Sequence, residues 1–303
     1  MMLAAMRTRR DFLLNSAALA TGAALAGPVA WGAEHIPLGA QLYTARHQAE
    51  EDLPGVLRQI RAIGYAEVET YSGLYKRPAA ELRQIIADAG LRAPSGHFGY
   101  GELDGRFDYA KALGLEWIVC SVIDRPLWGT VEGFTTAAKQ FDLWGRRAKD
   151  LGMRFAFHNH DYEFRSLPPR QANSGLSGAP ALGSKTGYDV LIAETDPELV
   201  FFEPDVYWVA EAGLDPLELL RRLGRRVRLL HLKDRKPGFV TSTDMNAESR
   251  HFAEVGSGNL DWKPLLAEAE RLGVEHYFVE QDETPGDPID SLRKSYQYLH
   301  SIT

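Results

Sequence analysis

The chain has 303 residues, 45% hydrophobic and 25% charged, which is enough apolar sequence for one large core and a length that suits a single α/β barrel. Its formal charge is −7; residues 1–33 carry Arg7, Arg9, Arg10 and Asp11, a net of +2, so the remainder carries −9. So acidic a body excludes a nucleic-acid partner, which needs a basic face, but not a small anionic ligand held in a local pocket.

The chain opens with Thr8-Arg9-Arg10-Asp11-Phe12-Leu13-Leu14 and a weakly apolar stretch from Asn15 to Ala30. This segment resembles a bacterial twin-arginine export leader. It is short, rich in Gly and Ala, and broken by Asn15, Ser16, Thr21 and Pro28, so a stable membrane anchor is not expected. The reading is a signal peptide over 1–33, a folded domain over 34–303, passage through the twin-arginine export machinery and a periplasmic location. Cleavage after Ala24-Leu25-Ala26 or near Ala30-Trp31-Gly32 fits equally. A single cysteine, Cys120, excludes an intramolecular disulfide and reads as a core residue in the run Trp117–Val122.

From there strands and helices alternate. Pro37–Tyr43 reads as a strand, Leu53–Ile63 as a helix, Ala66–Thr70 as a strand, Ala79–Ala89 as a helix and Leu91–Ser95 as a third strand. Phe107–Leu113, Glu116–Val122, Val131–Leu151 and Met153–His158 continue the pattern. Tyr188–Glu194, Leu199–Glu203, Pro216–Leu223, Arg226–His231, Trp262–Leu272, Glu275–Glu280 and Pro288–His300 complete it. Glycine separates helix from strand at Gly64, Gly90, Gly114, Gly152, Gly224 and Gly273, where a left-handed cap turns the chain. Eight strands in such alternation predict a single (β/α)8 TIM barrel. No Gly-x-Gly-x-x-Gly follows the first strand, which argues against a dinucleotide site. Two long loops, Pro168–Gly187 and Lys236–Val255, follow strand C-termini and would border the active face.

Four strand ends carry the chemistry: His158-Asn159-His160-Asp161-Tyr162-Glu163, Glu203-Pro204-Asp205, His231-Leu232-Lys233-Asp234 and Glu280-Gln281-Asp282. Alternate side chains of a strand share a face, so His158 and His160 pair if the strand runs through both, as do His231 and Lys233, and Glu280 and Asp282. Imidazoles and carboxylates on four converging strand ends suit one divalent ion, with Mn, Zn, Co and Fe all acceptable. A lone His at a strand end is ordinarily structural; four such ends in one chain argue for a site. Gly256-Ser257-Gly258-Asn259 could grip an anion through backbone N–H groups, or be a turn with an N-cap.

Gln41-Leu-Tyr43, Ser95-Gly-His97, His158-Asn-His-Asp-Tyr-Glu163, Asp205-Val-Tyr-Trp208, His231-Leu-Lys-Asp234, Gly256-Ser-Gly258 and Glu280-Gln-Asp282, in that order, resemble the sugar phosphate isomerase/epimerase family of xylose isomerase-like barrels. The resemblance spans Ile36 to Ile302. It implies metal ligands from strands five to eight. Asp205, His231 and Glu280 take three places; His160 takes the fourth, with His158 and Glu163 as alternatives. It further implies an acid/base role for Glu163, shared with Glu280 and His158. Lys233 is an oxyanion stabiliser or proton donor, the competing reading being an ion pair with Asp234 or Glu203. Tyr43, His97, Trp208 and Tyr207 form the walls of a carbohydrate pocket.

The implied activity is a metal-dependent isomerase or epimerase acting on a sugar through an enediolate. A lyase or dehydratase of a 3-keto-glycoside or keto-polyol shares the same first step. A non-catalytic periplasmic sugar-binding protein is the reading from another class, and an abasic-site endonuclease is disfavoured by the acidic body.

Overall fold

A computed structural model describes residues 37–168, 185–244 and 251–303. The expected leader, residues 169–184 of the first long loop and residues 245–250 of the second lie outside the described residues. In chain order the elements are β1 (Leu38–Gln41), α1 (Arg46–Ile63), β2 (Glu67–Tyr71), α2 (Ala79–Asp88), β3 (Arg92–Gly99), α3 (Phe107–Leu113), β4 (Trp117–Val122), α4 (Val131–Asp150) and β5 (Arg154–His158). Then come α5 (Gly187–Glu194), β6 (Val200–Glu203), α6 (Val206–Glu211), α7 (Pro216–Leu223), β7 (Leu229–Leu232), β8 (Asp234–Arg235), β9 (Phe252–Ala253), α8 (Trp262–Leu272), β10 (His276–Val279) and α9 (Pro288–Ile302).

The eight long strands are parallel and run in the order β6-β5-β4-β3-β2-β1-β10-β7. The seam between β6 and β7 is drawn together by single parallel bridges, Phe202 to Val227 and Asp205 to His231, with the His231 N–H donating to the Pro204 carbonyl at 3.0 Å. The result is a nearly closed barrel with helices between its strands, as the alternation predicts. β8 and β9 form a separate antiparallel pair beside the β7 end.

All six glycines expected to follow helices have positive φ, from 58° at Gly224 to 129° at Gly64. Two elements differ from expectation. α1 starts earlier, at Arg46, but is broken at Asp52 (φ −142°, ψ 75°), whose carboxylate accepts from the Gly55 N–H at 2.9 Å, so the expected start near Leu53 is a real N-terminus inside the longer element. α6 was not expected. It begins because Asp205 Oδ1 accepts from the Tyr207 and Trp208 N–H groups at 2.9 and 3.3 Å.

Strand alternation sorts the interior by height. One layer of the lumen is apolar, built from Trp117, Val119, Ala156, Leu229 and Phe278. Two residues further along most of these strands stand His158, His231 and Glu280, with Gln41, Glu69, His97 and Glu203 at the same level, all buried. A larger core, including Cys120, fills the space between strands and helices. The barrel therefore places a dry apolar floor under a polar cluster at the C-terminal ends of its strands.

Candidate metal and active site

Four side chains from four neighbouring strands converge. His158 closes β5, Asp205 follows β6, His231 lies in β7 and Glu280 follows β10. Each offers one ligand atom, all of these atoms lie within 4.8 Å of one another, and all four residues are buried. His231 Nδ1 is 3.1 Å from Glu280 Oε2 and 4.0 Å from Asp205 Oδ2. Asp205 divides its carboxylate: Oδ1 caps α6, and buried Oδ2 lies 2.9 Å from the Lys233 ammonium. His158 Nδ1 is buried without a hydrogen-bond partner. Two imidazoles and two carboxylates gathered in one buried cluster are a donor set that suits a divalent transition ion.

The expectation named His160 as the ligand of the fifth strand; the structure brings His158 there instead. β5 ends at His158, so the two-residue alternation does not reach His160. His160 lies in the turn beyond, its N–H donating to Glu163 Oε2 at 3.0 Å and its ring against Trp208 with centroids 5.3 Å apart. It lines the cavity wall but is not one of the converging four. Burial holds its imidazole down at about 3, so it faces the cavity neutral.

A second convergent group, His97, His158, Glu203 and His231, shares two members with the first. Here His97 and His231 are engaged with Glu69 and Glu203, while His158 Nδ1 and Glu203 Oε1 are buried without a hydrogen-bond partner. His97 Nε2 lies 2.7 Å from Glu203 Oε2 and 3.0 Å from Glu69 Oε2, and His231 Nε2 lies 2.7 Å from Glu69 Oε2. Gln41 Nε2 donates to the same Glu69 oxygen at 2.8 Å, and the Ser95 hydroxyl donates to the other. This group reads as a hydrogen-bonded base on which the first set stands. Burial disfavours the Glu69 anion, but His97 and His231 outweigh it and hold that carboxyl below the usual range. Burial and the nearby Glu69 charge push Glu203 up to about 7. Burial would lower His97, yet Glu69 and the bond to Glu203 carry it up to about 9. Glu203 belongs to one of the four strand ends read as carrying the chemistry; Glu69 was not among the expected site residues. The signal was present in Glu67-Val68-Glu69, a fully buried strand carrying two carboxylates.

Lys233 is fully buried and does not line the cavity. Its ammonium lies 2.9 Å from Asp205 Oδ2, 2.8 Å from Glu280 Oε2 and 3.0 Å from Asp282 Oδ2. It is an ion-pair hub, but neither expected partner is involved. Asp234 instead accepts from the Gly256, Gly258 and Leu260 N–H groups at 2.9, 3.1 and 3.2 Å and from Trp262 Nε1 at 2.8 Å. The Gly256–Asn259 turn thus already holds an anion, the chain's own carboxylate, and a Cβ on Gly258 would overlap it. Glu203 is engaged with His97. Burial opposes the Glu280 charge, and Lys233 and His231 prevail, holding it well below the usual carboxylate range.

Glu163 does not line the cavity. It is fully buried, one oxygen accepts the His160 N–H, and burial raises its pKa well above the ordinary value. Glu163, expected as an acid/base residue, therefore lies beneath the wall and supports the His160 turn. Tyr207 also falls outside the wall; its hydroxyl accepts from the His251 N–H at 3.2 Å. Tyr43, His97 and Trp208 do line the cavity, with Tyr71, Phe252, Arg46 and Asp282. Its volume is about 430 Å³, within the range of small-molecule sites. Glu280 and His158 reach it from the converging four.

A family model described as "Xylose isomerase-like TIM barrel" matches residues 57–302. The chain belongs to this family. An inosose dehydratase of Clostridium botulinum is 24% identical over 251 residues, covering 74% of this chain and 78% of the relative. Among solved structures, a sugar phosphate isomerase/epimerase from Parabacteroides distasonis superposes with a TM-score of 0.69 at 22% identity, covering 88% of this chain and 95% of that one. The IOLI protein with a bound zinc atom superposes with a TM-score of 0.63 at 14% identity, covering 88% and 98%. At such identities these two structures speak for the fold. Together with the family model they show a xylose isomerase-like TIM barrel.

Proposed function

We propose that this protein is a divalent-metal-dependent enzyme that removes a proton beside the carbonyl of a small keto sugar or keto polyol. The observation that carries the reading is the convergence of His158, Asp205, His231 and Glu280 at the inner end of a cavity large enough for a carbohydrate. A bound ion would supply Lewis-acid stabilisation of the oxyanion that develops on the carbonyl oxygen. The zinc of the IOLI structure supports a divalent ion without fixing which one.

The side chains divide the remaining work. Glu280, ionised and at the cavity, takes the proton from carbon. Asp282 lines the same wall with its carboxyl pushed up to about 6 by burial, against the pull of Lys233, so near neutrality it can donate as well as accept a proton. Lys233 holds both carboxylates in place from behind. Tyr43, Tyr71 and Trp208 offer faces that suit the C–H surfaces of a sugar ring, and His97 and neutral His160 add polar contacts. Returning the proton to carbon gives an isomer or epimer.

Elimination is the second reading. Asp282 sits where it could protonate a leaving oxygen instead, and the inosose dehydratase relatives carry out a reaction of that name. Export to the periplasm remains part of the proposal, resting on Arg9-Arg10 and the apolar stretch after them.

The test is incubation of the metal-reconstituted protein with keto sugars and keto polyols in heavy water. Deuterium on carbon in recovered substrate or its epimer supports proton transfer; an unsaturated product or a released aglycone supports elimination. Neither result, with binding that is indifferent to metal and to Glu280→Gln, would leave a sugar-binding protein.

A further inference from the structure

The polar base under the metal ligands contains one atom on which three partners meet. Glu69 Oε2 is 2.7 Å from His231 Nε2, 2.8 Å from Gln41 Nε2 and 3.0 Å from His97 Nε2, while Oε1 accepts from the Ser95 hydroxyl. Every one of these residues is buried, and Glu69 is completely so. Glu69 cannot itself join the four converging ligands, because it meets His231 at the nitrogen facing away from them: His231 Nε2 faces Glu69, whereas Nδ1 faces Glu280 and Asp205.

We infer that Glu69 is a positioning residue that keeps the proton of His231 on Nε2 and thereby presents the Nδ1 lone pair to a divalent ion, while the same oxygen fixes the cavity-facing ring of His97. The two imidazoles support this geometrically. Their rings are stacked, 5.1 Å between centroids and 9° between planes, as two rings held against one acceptor would be. A carboxylate behind a metal-binding imidazole fixes both tautomer and orientation and raises its basicity, and its loss typically lowers metal affinity 10- to 100-fold. Gln41 and Ser95 complete the arrangement by pinning the carboxylate, so that it does not turn away from His231.

The inference rests on the metal reading above and is tested apart from catalysis. Zinc affinity of the full chain is measured by competition with a chromophoric chelator for the wild type and for Glu69→Gln, which keeps the shape and removes the charge. The expected result is a 10- to 100-fold weaker affinity in a variant that still folds. A purely structural Glu69 would lower the melting temperature and leave the affinity unchanged, which overturns the inference while leaving the metal reading intact. Should the variant not fold, nitrogen-15 spectra of the histidines in the zinc-loaded wild type decide. Zinc on His231 Nδ1 with the proton on Nε2 is expected; the reverse assignment overturns the inference. A wild-type protein that takes up no zinc, manganese, cobalt or iron overturns both readings.

Discussion

Lys233 Nζ lies 2.8 Å from Glu280 Oε2, the carboxylate that also faces His231 Nδ1 at 3.1 Å. One buried ammonium therefore stabilises the anionic half of the candidate metal site. In Lys233→Met the carboxylates of Asp205, Glu280 and Asp282 lose that charge in a buried setting, where breaking an ion pair costs about 3–5 kcal/mol. The metal-free variant is expected to melt well below wild type. Zinc should raise its melting temperature by more than it raises that of wild type, because the ion supplies the missing positive charge. Equal metal-induced shifts in thermal melts would contradict this.

The pH dependence of the metal-free protein follows from the groups beneath the ligands. His97, raised to about 9, contributes stability that is complete below its ordinary value near 6.5 and is lost as pH rises through about 9. Glu203, raised to about 7, acts in the same direction, its contribution declining as pH climbs from about 4.5 through 7. Glu69 and Glu280, both lowered, act oppositely and lose their contributions as pH falls below about 4.5. Chelator-treated protein is expected to weaken in chemical denaturation as pH rises from about 7 toward 9, where His97 loses its proton. A flat profile from pH 6 to 9 would contradict the assignment.

Asp234 is expected to be structural. Asp234→Ala removes the acceptor from four backbone N–H groups and the Trp262 indole, a loss of about 3 kcal/mol or more in a buried turn. Equilibrium unfolding measures it. Inorganic phosphate is not expected to protect the wild-type protein through this turn, since the chain's own carboxylate fills it.

His158 and His160 separate cleanly by substitution. His158→Ala is expected to weaken zinc binding by more than about tenfold, as loss of a ligand exceeds the effect of removing a supporting group. His160→Ala should leave zinc affinity within a few-fold of wild type and alter substrate affinity instead, because its ring is in the wall against Trp208. Titration calorimetry with zinc, then with a bound carbohydrate, distinguishes the two.

Much of this was legible in the sequence because the barrel imposes simple rules. Glycine caps and apolar runs located all eight strands, the strand ends marked four chemistry-bearing segments, and the family resemblance implied Asp205, His231 and Glu280 within them. The fifth-strand end stayed open between His160, His158 and Glu163: nothing in His158-Asn159-His160 says that pairing stops at His158, which the barrel decides through the register of β5 against β6. Glu69 escaped because a carboxylate inside a short strand has meaning only when a partner from another strand is known. His97 was chosen as a wall residue, and its link to both carboxylates depends on contacts across the lumen. Lys233 was read as an oxyanion stabiliser or proton donor, with Asp234 or Glu203 as ion-pair partners in the competing reading, whereas its three carboxylates come from the ends of β6 and β10.

The central claim is the location of the ion, and anomalous X-ray scattering from crystals grown with manganese or zinc tests it most directly. The expected result is one strong peak within about 2.0–2.3 Å of a ligand atom from each of His158, Asp205, His231 and Glu280. A peak held by other residues, or none at saturating metal, would contradict it.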